Sequence, residues 1–367
     1  MTATIDAFTD NSAPRPWVIR PFDELFPSID ELRKAVSQRK ERSWELDIRP
    51  EDLQVRDEKE GDLVVEVSAP GIGEPKVLTP THWAFAQLAR YAQAPSGYLS
   101  SLPPELAARN LAWGLRHRTI QNRMKILGLG NGCGILRAVT STYYQRIWDE
   151  AVLDVIERIN HDGRWQVPVA DYDSQNPEQA TTALCASDRD IFVFLVDQGN
   201  PVQVKGEALL RGIIIRNSEV GASAVSLKTF LYRSYCNNRT IFGLTNKRYL
   251  SMRHVGRAPE RFSEDWPEFL RSYAEESAGQ TEKTIKAAQD FEAPVHTEEG
   301  WEGWLRQRGF TSGQAEEAVR IATEEEGQAR SLWDIIQGIT ASARSIPHTD
   351  TRVELEAAAG RLMQYVQ

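Results

Sequence analysis

Two short polar clusters carry residue types from which chemistry could be built. Asn217-Ser218-Glu219 sets a carboxylate beside an amide between two apolar runs, and Arg253-His254 with Arg257 sets an imidazole among cations. A catalytic carboxylate works best beside a basic group, which Arg216, Arg233 or His254 could supply; Glu219 and His254 are therefore the candidate acid/base pair. The competing reading of the first cluster is a turn in which Asn217 and Ser218 bond the backbone and Glu219 pairs with a local cation. For the second cluster, a phosphate contact, an exposed polar loop and a proton-shuttling His254 stand side by side.

Elsewhere the chain lacks the known signatures of catalysis. None of the six histidines (His82, His117, His161, His254, His296 and His348) sits in H-E-x-x-H, in H-x-H or at metal spacing from a cysteine. No G-x-S-x-G elbow, P-loop or calcium loop occurs. No metal and no cofactor is expected. The run G-L-G-N-G-C-G (Gly128 to Gly134) holds Cys133 where a dinucleotide fingerprint needs glycine, and it leads into an apolar run. A phosphate loop needs a helix N-terminus behind it, so the run reads as a hairpin turn.

Composition bounds the remaining classes. With 41% hydrophobic and 26% charged residues over 367 positions, a disordered tail, a collagen-like rod and a low-complexity scaffold are excluded. Cys133, Cys185 and Cys236 are odd in number and far apart, which argues against a disulfide framework and a thiolate zinc site. They read as small buried residues in a reducing, cytoplasmic setting. The first fifteen residues lack a basic stretch followed by an apolar one, and apolar runs such as Ile191–Val196 are too short to span a bilayer. Neither a secretory signal nor a membrane partner is expected.

The net charge of -9 hides an alternation. By segment it runs -5 over 1–102, +6 over 103–147, -8 over 148–204, +8 over 205–261 and -10 over 262–367. In 205–261 the cations are interleaved with Phe230, Tyr232, Tyr235, Phe242 and Tyr249. Cations with aromatics are what a surface that tracks a phosphate backbone and stacks bases requires. The alternative is that these cations pair with the acidic flanks and hold the fold together.

Periodicity and punctuation place these segments in an α+β fold: a central antiparallel β-rich core flanked by helices, with a helical C-terminal region. Ser28-Ile29-Asp30-Glu31 reads as a capping box for a helix over 29–41. Helices are also expected from Thr79 or Thr81 to about Tyr91, over 104–116 and over 149–160. Strands are expected at Leu63–Val67, at Ile126–Leu129 with Ile135–Ser141, and at Ala183–Ala186 with Ile191–Gln198. Leu209–Arg216 should pair with Ala222–Leu227, and 229–237 reads as a short helix. From Ser263 onward, helices are expected over 264–290, 298–308, 312–326, 331–343 and 351–366, with a hinge at 291–297. The segments divide as 1–78, an N-terminal extension with a small α/β part; 79–262, the α+β core with its basic hairpin; and 263–367, the acidic helical region.

The central stretch L-L-R-G-I-I-I-R-N-S-E-V-G-A-S-A-V-S-L-K-T-F-L-Y-R-S-Y-C-N-N (Leu209 to Asn238) resembles the core signature of the phage/plasmid-like proteins grouped as the Domain of Unknown Function 932 family. In that signature an apolar strand leads to N-S-E-V-G, then to a second strand, an Arg and a Cys-x-Asn. L-R-A-V-T-S-T-Y-Y (Leu136 to Tyr144), S-M-R-H-V-G (Ser251 to Gly256) and L-W-D-I-I-Q-G-I-T (Leu332 to Thr340) are similar too. The likeness covers about 80 to 343; Asn237-Asn238-Arg239 departs from the Asn-Gly of many relatives. It implies a mobile-element context. A mixed core with a basic hairpin is also similar in outline to phage Rad52-like annealing proteins, at the level of fold analogy.

The expectation is thus a nucleic-acid-binding protein, a single-strand DNA annealing or recombination accessory. Lys228, Arg233, Arg239, Lys247, Arg248, Arg253 and Arg257 would contact phosphates, and Tyr232 and Tyr235 would stack bases from one helical face. Single-stranded DNA is the expected partner, with self-association left open. The alternatives are an enzyme acting on nucleic acid or nucleotides through Glu219 and His254, which must then converge in one cleft, and a non-catalytic assembly or anti-defence protein whose basic segment is neutralised by its flanks.

Overall fold

Helix α1 (Ile29–Glu41) begins at its cap: the Ser28 hydroxyl accepts a hydrogen bond from the Glu31 N–H at 3.2 Å. The computed structural model describes residues 22–366 except 59–62, 71, 118–122, 131–132, 161, 168–182, 205–206, 234–237, 241–248, 276–277, 292–296, 327–328, 344–345 and 347–348. The hinge expected at 291–297 lies largely outside the described residues.

The first sheet is built from β1 (Ser43–Ile48), β2 (Leu53–Asp57), β3 (Leu63–Val67), β4 (Lys76–Pro80), β5 (Met124–Leu129) and β6 (Cys133–Thr140), in the order β1-β5-β6-β4-β3-β2. Its pairs are antiparallel apart from the parallel β4–β6. β1 and β2 are opposite edges yet are joined by residues 49–52 alone, so the sheet must curl. Its inner face, with Ile48, Val65 and Ile126, packs on Leu88 of α2 (His82–Tyr91), Leu99 of α3 (Ser96–Ser100) and Leu111 of α4 (Pro104–His117). Thr81 caps α2 through the Ala84 N–H.

The glycine-rich run joins β5 to β6 as a hairpin and leads into a strand, as its apolar flank requires. Gly128 lies opposite Trp44, and a Cβ added there would stand 2.2 Å from the indole; Gly130 takes φ +92°, a left-handed conformation. Gly128→Ala should therefore cost about 1–3 kcal/mol, the usual penalty of overpacking, read as a lower urea midpoint. An unchanged midpoint would show that the Trp44 ring does not depend on this gap. Cys133, at the start of β6, is exposed rather than buried, whereas Cys185 is buried as expected; Cys236 lies outside the described residues.

The second sheet contains β7 (Trp165–Gln166), β8 (Leu184–Ala186), β9 (Ile191–Val204), β10 (Glu207–Asn217), β11 (Val225–Arg233), β12 (Asn238–Thr240) and β13 (Tyr249–Met252). The order is β12-β11-β10-β9-β7, with β13 also on β11 and β8 also on β9; every pair is antiparallel. The helix expected at 229–237 is corrected: β11 continues through Arg233. Phe230 and Tyr232 pack with Phe194 on one face while Leu227 and Leu231 serve the other, a period of two that overrides the helical reading.

Helices α5 (Asp149–Ile159) and α6 (Ala258–Glu275) cover one face of this sheet through Ile156, Phe262, Trp266 and Leu270 against Ile213 and Ile215. α7 (Ala278–Asp290), α8 (Glu298–Arg306), α9 (Ser312–Glu326), α10 (Leu332–Ser342) and α11 (Thr349–Arg361) share a core with Val202, Leu209 and Leu231 at the far end of the strands. The acidic helical region thus seats on the basic segment through apolar side chains. Two helices stand where one was expected over 264–290. The divisions at 78/79 and 262/263 fall inside β4 and α6, because the first sheet needs β4 between β3 and β6 and α6 is one continuous 18-residue helix.

Candidate functional site

The turn from β10 to β11 plugs into the first sheet. Val220 packs on Leu127 and Ala138, and its carbonyl accepts hydrogen bonds from Trp83 Nε1 (2.9 Å) and Gln87 Nε2 (2.8 Å). Gln87 Oε1 in turn accepts from the Val139 N–H. Ser218 Oγ donates to the Arg189 carbonyl and accepts from the Ala222 N–H, while Tyr144 Oη donates to the Ser218 carbonyl at 2.8 Å. Gly221, at φ +80°, turns the chain back toward β11 in the left-handed conformation that glycine favours.

Two carboxylates and two guanidinium groups meet at this plug. Glu219, 1% exposed, accepts from Arg137 Nη1 at 2.7 Å and from the Asp149 N–H at 3.0 Å, and lies 3.8 Å from Arg39 Nε. Asp149 accepts from Arg39 Nη2 and Asn217 Nδ2, both at 2.7 Å. Asn217 Nδ2 also donates to the Ile147 carbonyl. Each member has a local cause. The pairing of β5 with β6 shifts register between Leu127 and Gly128, so Arg137 is the extra residue of a β-bulge, the device that re-aims a side chain. Asp149 opens α5, whose free N-terminal amides favour a carboxylate. Burial opposes ionisation of Glu219, but Arg137 and Arg39 outweigh it and hold the group below the usual carboxylate range. Burial, then the Glu219 charge, raises the pKa of Asp149.

A pair of carboxyls pushed in opposite directions is the electrostatic pattern of acid/base catalysis. Here it lacks access, for Glu219, Asp149 and Arg137 are all buried. Glu219 takes its cation from a bulge 82 residues away rather than from Arg216, Arg233 or His254; Arg216 stands instead 3.5 Å from Asp190. His254 is buried too, its Nδ1 accepting the Ile147 N–H at 3.3 Å. The two candidate catalytic groups thus receive N–H groups two residues apart, and both are buried. The arrangement joins two sheets and two helices. Among the described residues no cluster of three or more His, Cys, Asp and Glu could hold a metal ion.

Next to the plug, two loops form an exposed edge. Residues 141–148, between β6 and α5, pair with residues 253–257, between β13 and α6, through a bridge of Tyr144 with Val255 and a bond from the Gln145 N–H to the His254 carbonyl at 2.8 Å. The Tyr144 and His254 rings stack at 4.9 Å, 12° from parallel. The neighbours of the stacked rings face solvent: Tyr143 is 80% exposed and Val255 55%. Arg253 and Arg257 are exposed and form no ion pair among the described residues.

The other expected contact residues divide three ways. Lys228 is half-buried in β11 and already engaged. Tyr232 is corrected as a stacking residue: it is buried, edge-on to Phe194, so no base can reach it. Of Arg233 and Arg239 only the backbone is described; Tyr235, Lys247 and Arg248 lie outside the described residues. Nothing in the spacing of Arg39, Arg137, Asp149 and Tyr143 marks them out in the sequence, although Arg137 and Tyr143 fall within Leu136 to Tyr144.

Fold and site together define an α+β protein in which a buried polar plug locks two sheets beneath an exposed basic and aromatic edge. No family model, no curated protein and no solved structure matches the chain. Among the described residues no helix is long and apolar enough to cross a membrane.

Proposed function

We propose that this chain is a nucleic-acid-binding protein of a mobile element, of the Domain of Unknown Function 932 type, and that it serves as a single-strand annealing or recombination accessory. The reading rests on how the cations of the +8 segment are used. Arg211 and Arg216 are spent inside the fold, one reaching the Ala274 carbonyl and the other Asp190. Arg253 and Arg257 stay outside it, on one loop, without an acidic partner among the described residues. Exposed guanidinium groups of this kind are what a phosphate contact uses. Burial of Glu219 and His254 favours binding over catalysis.

Each phosphate contact to a single strand lowers the slope of log K against log salt by about 0.7. R253A/R257A should therefore flatten the slope by about 1.4 and weaken binding in a filter assay at low salt. An unchanged slope would remove these two arginines from the interface. No binding by the unmodified protein at low salt would end the proposal.

A further inference from the structure

We infer that Tyr143 is a base-stacking residue, which together with Val255, Arg253 and Arg257 makes this exposed edge a single-strand-selective site. The inference rests on the nucleic-acid reading above and names its ligand class. Tyr143 lies outside the basic segment and is the most exposed large apolar residue among those described. It occupies the third position of a turn closed by the Tyr144 N–H on the Ser141 carbonyl at 3.0 Å. The next ring, Tyr144, is locked by the His254 stack and by its hydroxyl bond to Ser218. The backbone that carries Tyr143 is thus fixed from below, so little loop freedom remains to be lost on binding.

The bridge of Tyr144 with Val255 sets the exposed Tyr143 next to the exposed loop 253–257. One edge therefore offers an aromatic face, a small apolar floor and two guanidinium groups. That combination is complementary to an unpaired nucleotide: the ring takes the base face, the valine packs beside it, and the arginines take the flanking phosphates. A duplex keeps its base faces stacked internally and would meet only the arginines.

The test measures binding of a short labelled oligothymidylate and of a duplex by the full chain, wild type, Y143A, Y143F and R253A/R257A. Y143A should bind the single strand about 5- to 150-fold more weakly, the range for loss of one stacked base, with its salt slope and thermal midpoint unchanged. Y143F should retain most of the affinity, and the duplex should be indifferent to position 143. Single-strand binding by Y143A equal to wild type would overturn the stacking role while leaving the arginine contacts standing. Equal loss on single strand and duplex would overturn the selectivity. Failure of the wild type to bind either probe would overturn the nucleic-acid reading and this inference with it.

Discussion

Glu219→Ala should cost about 3–5 kcal/mol of folding free energy, the usual price of stranding one partner of a buried ion pair. Arg137, itself buried, would lose its 2.7 Å partner, and the Asp149 N–H would lose its acceptor. Arg39 would keep Asp149 and the Ser187 carbonyl, which limits the damage to one guanidinium. Glu219→Gln should cost less, since the amide oxygen can still accept from Arg137. Removing both charges with Arg137→Met and Glu219→Leu together should recover much of the loss, because no charge is then left stranded. Urea unfolding of the four proteins measures these differences. If Glu219→Ala unfolds at the wild-type midpoint, the plug is not the lock described here.

Acid should weaken the protein through His254 by about 3 kcal/mol, taking about 1.4 kcal/mol for each unit of pKa displacement. Burial, then the nearby Arg146, lowers the imidazole from 6.5 to about 4. Between those values the unfolded chain binds a proton that the folded chain refuses. The stability contribution is therefore complete above about pH 6.5 and is lost as pH falls toward 4. The groups facing the imidazole act in both senses: Arg146 lowers it and the Ile147 N–H needs Nδ1 as an acceptor beneath the stacked Tyr144 ring, while backbone hydrogen bonds with Gln145 and Ser223 raise it, and burial with Arg146 prevails. Glu219, held low by Arg137 and Arg39, adds a loss in the same acid direction. Asp149, raised by burial and by Glu219, works oppositely and takes stability away as pH rises above the ordinary carboxylate range. His254→Phe keeps a ring against Tyr144 and removes the titration, so its unfolding free energy should fall less between pH 7 and 5 than that of wild type. A wild-type stability flat across that interval would sink the account of His254.

Local features were legible because local forces make them. The Ser28 cap, the helix over 312–326 and the hairpin at the glycine run depend on residues within a few positions of one another, and all three form, though Ser28 caps by its hydroxyl on the Glu31 N–H and not as the expected reciprocal box. That Leu209–Arg216 pairs with a strand beyond the turn was legible from two apolar runs, but the partner is Val225–Arg233 rather than Ala222–Leu227. The stretch 229–237 misled because two tyrosines three apart match a helical face, while burial of Phe230 and Tyr232 against Phe194 is a tertiary effect. The division at 78/79 cuts β4 because that strand belongs to a sheet whose other members lie on both sides of it in sequence.

The candidate site was half visible. Asn217-Ser218-Glu219 stood out as a polar interruption, and Ser218 does bond the backbone. Its true partners, Arg137 and Asp149, are 82 and 70 residues away, and neither spacing nor composition connects them. The charge alternation was real, but it did not distinguish Arg211, which is buried under the end of α6, from Arg253, which faces solvent. Only the folded chain makes that distinction: His254 is buried in its stack with Tyr144 while Arg253 and residues 255–257 face solvent.

Photochemical crosslinking of the full chain to a halogenated oligothymidylate, followed by peptide mapping, tests the central claim most directly. The account predicts crosslinks on the peptides that carry Tyr143 and residues 253–257, lost when excess salt displaces the strand. Crosslinks confined to the acidic helices α7–α11, or spread evenly over the surface, would contradict it.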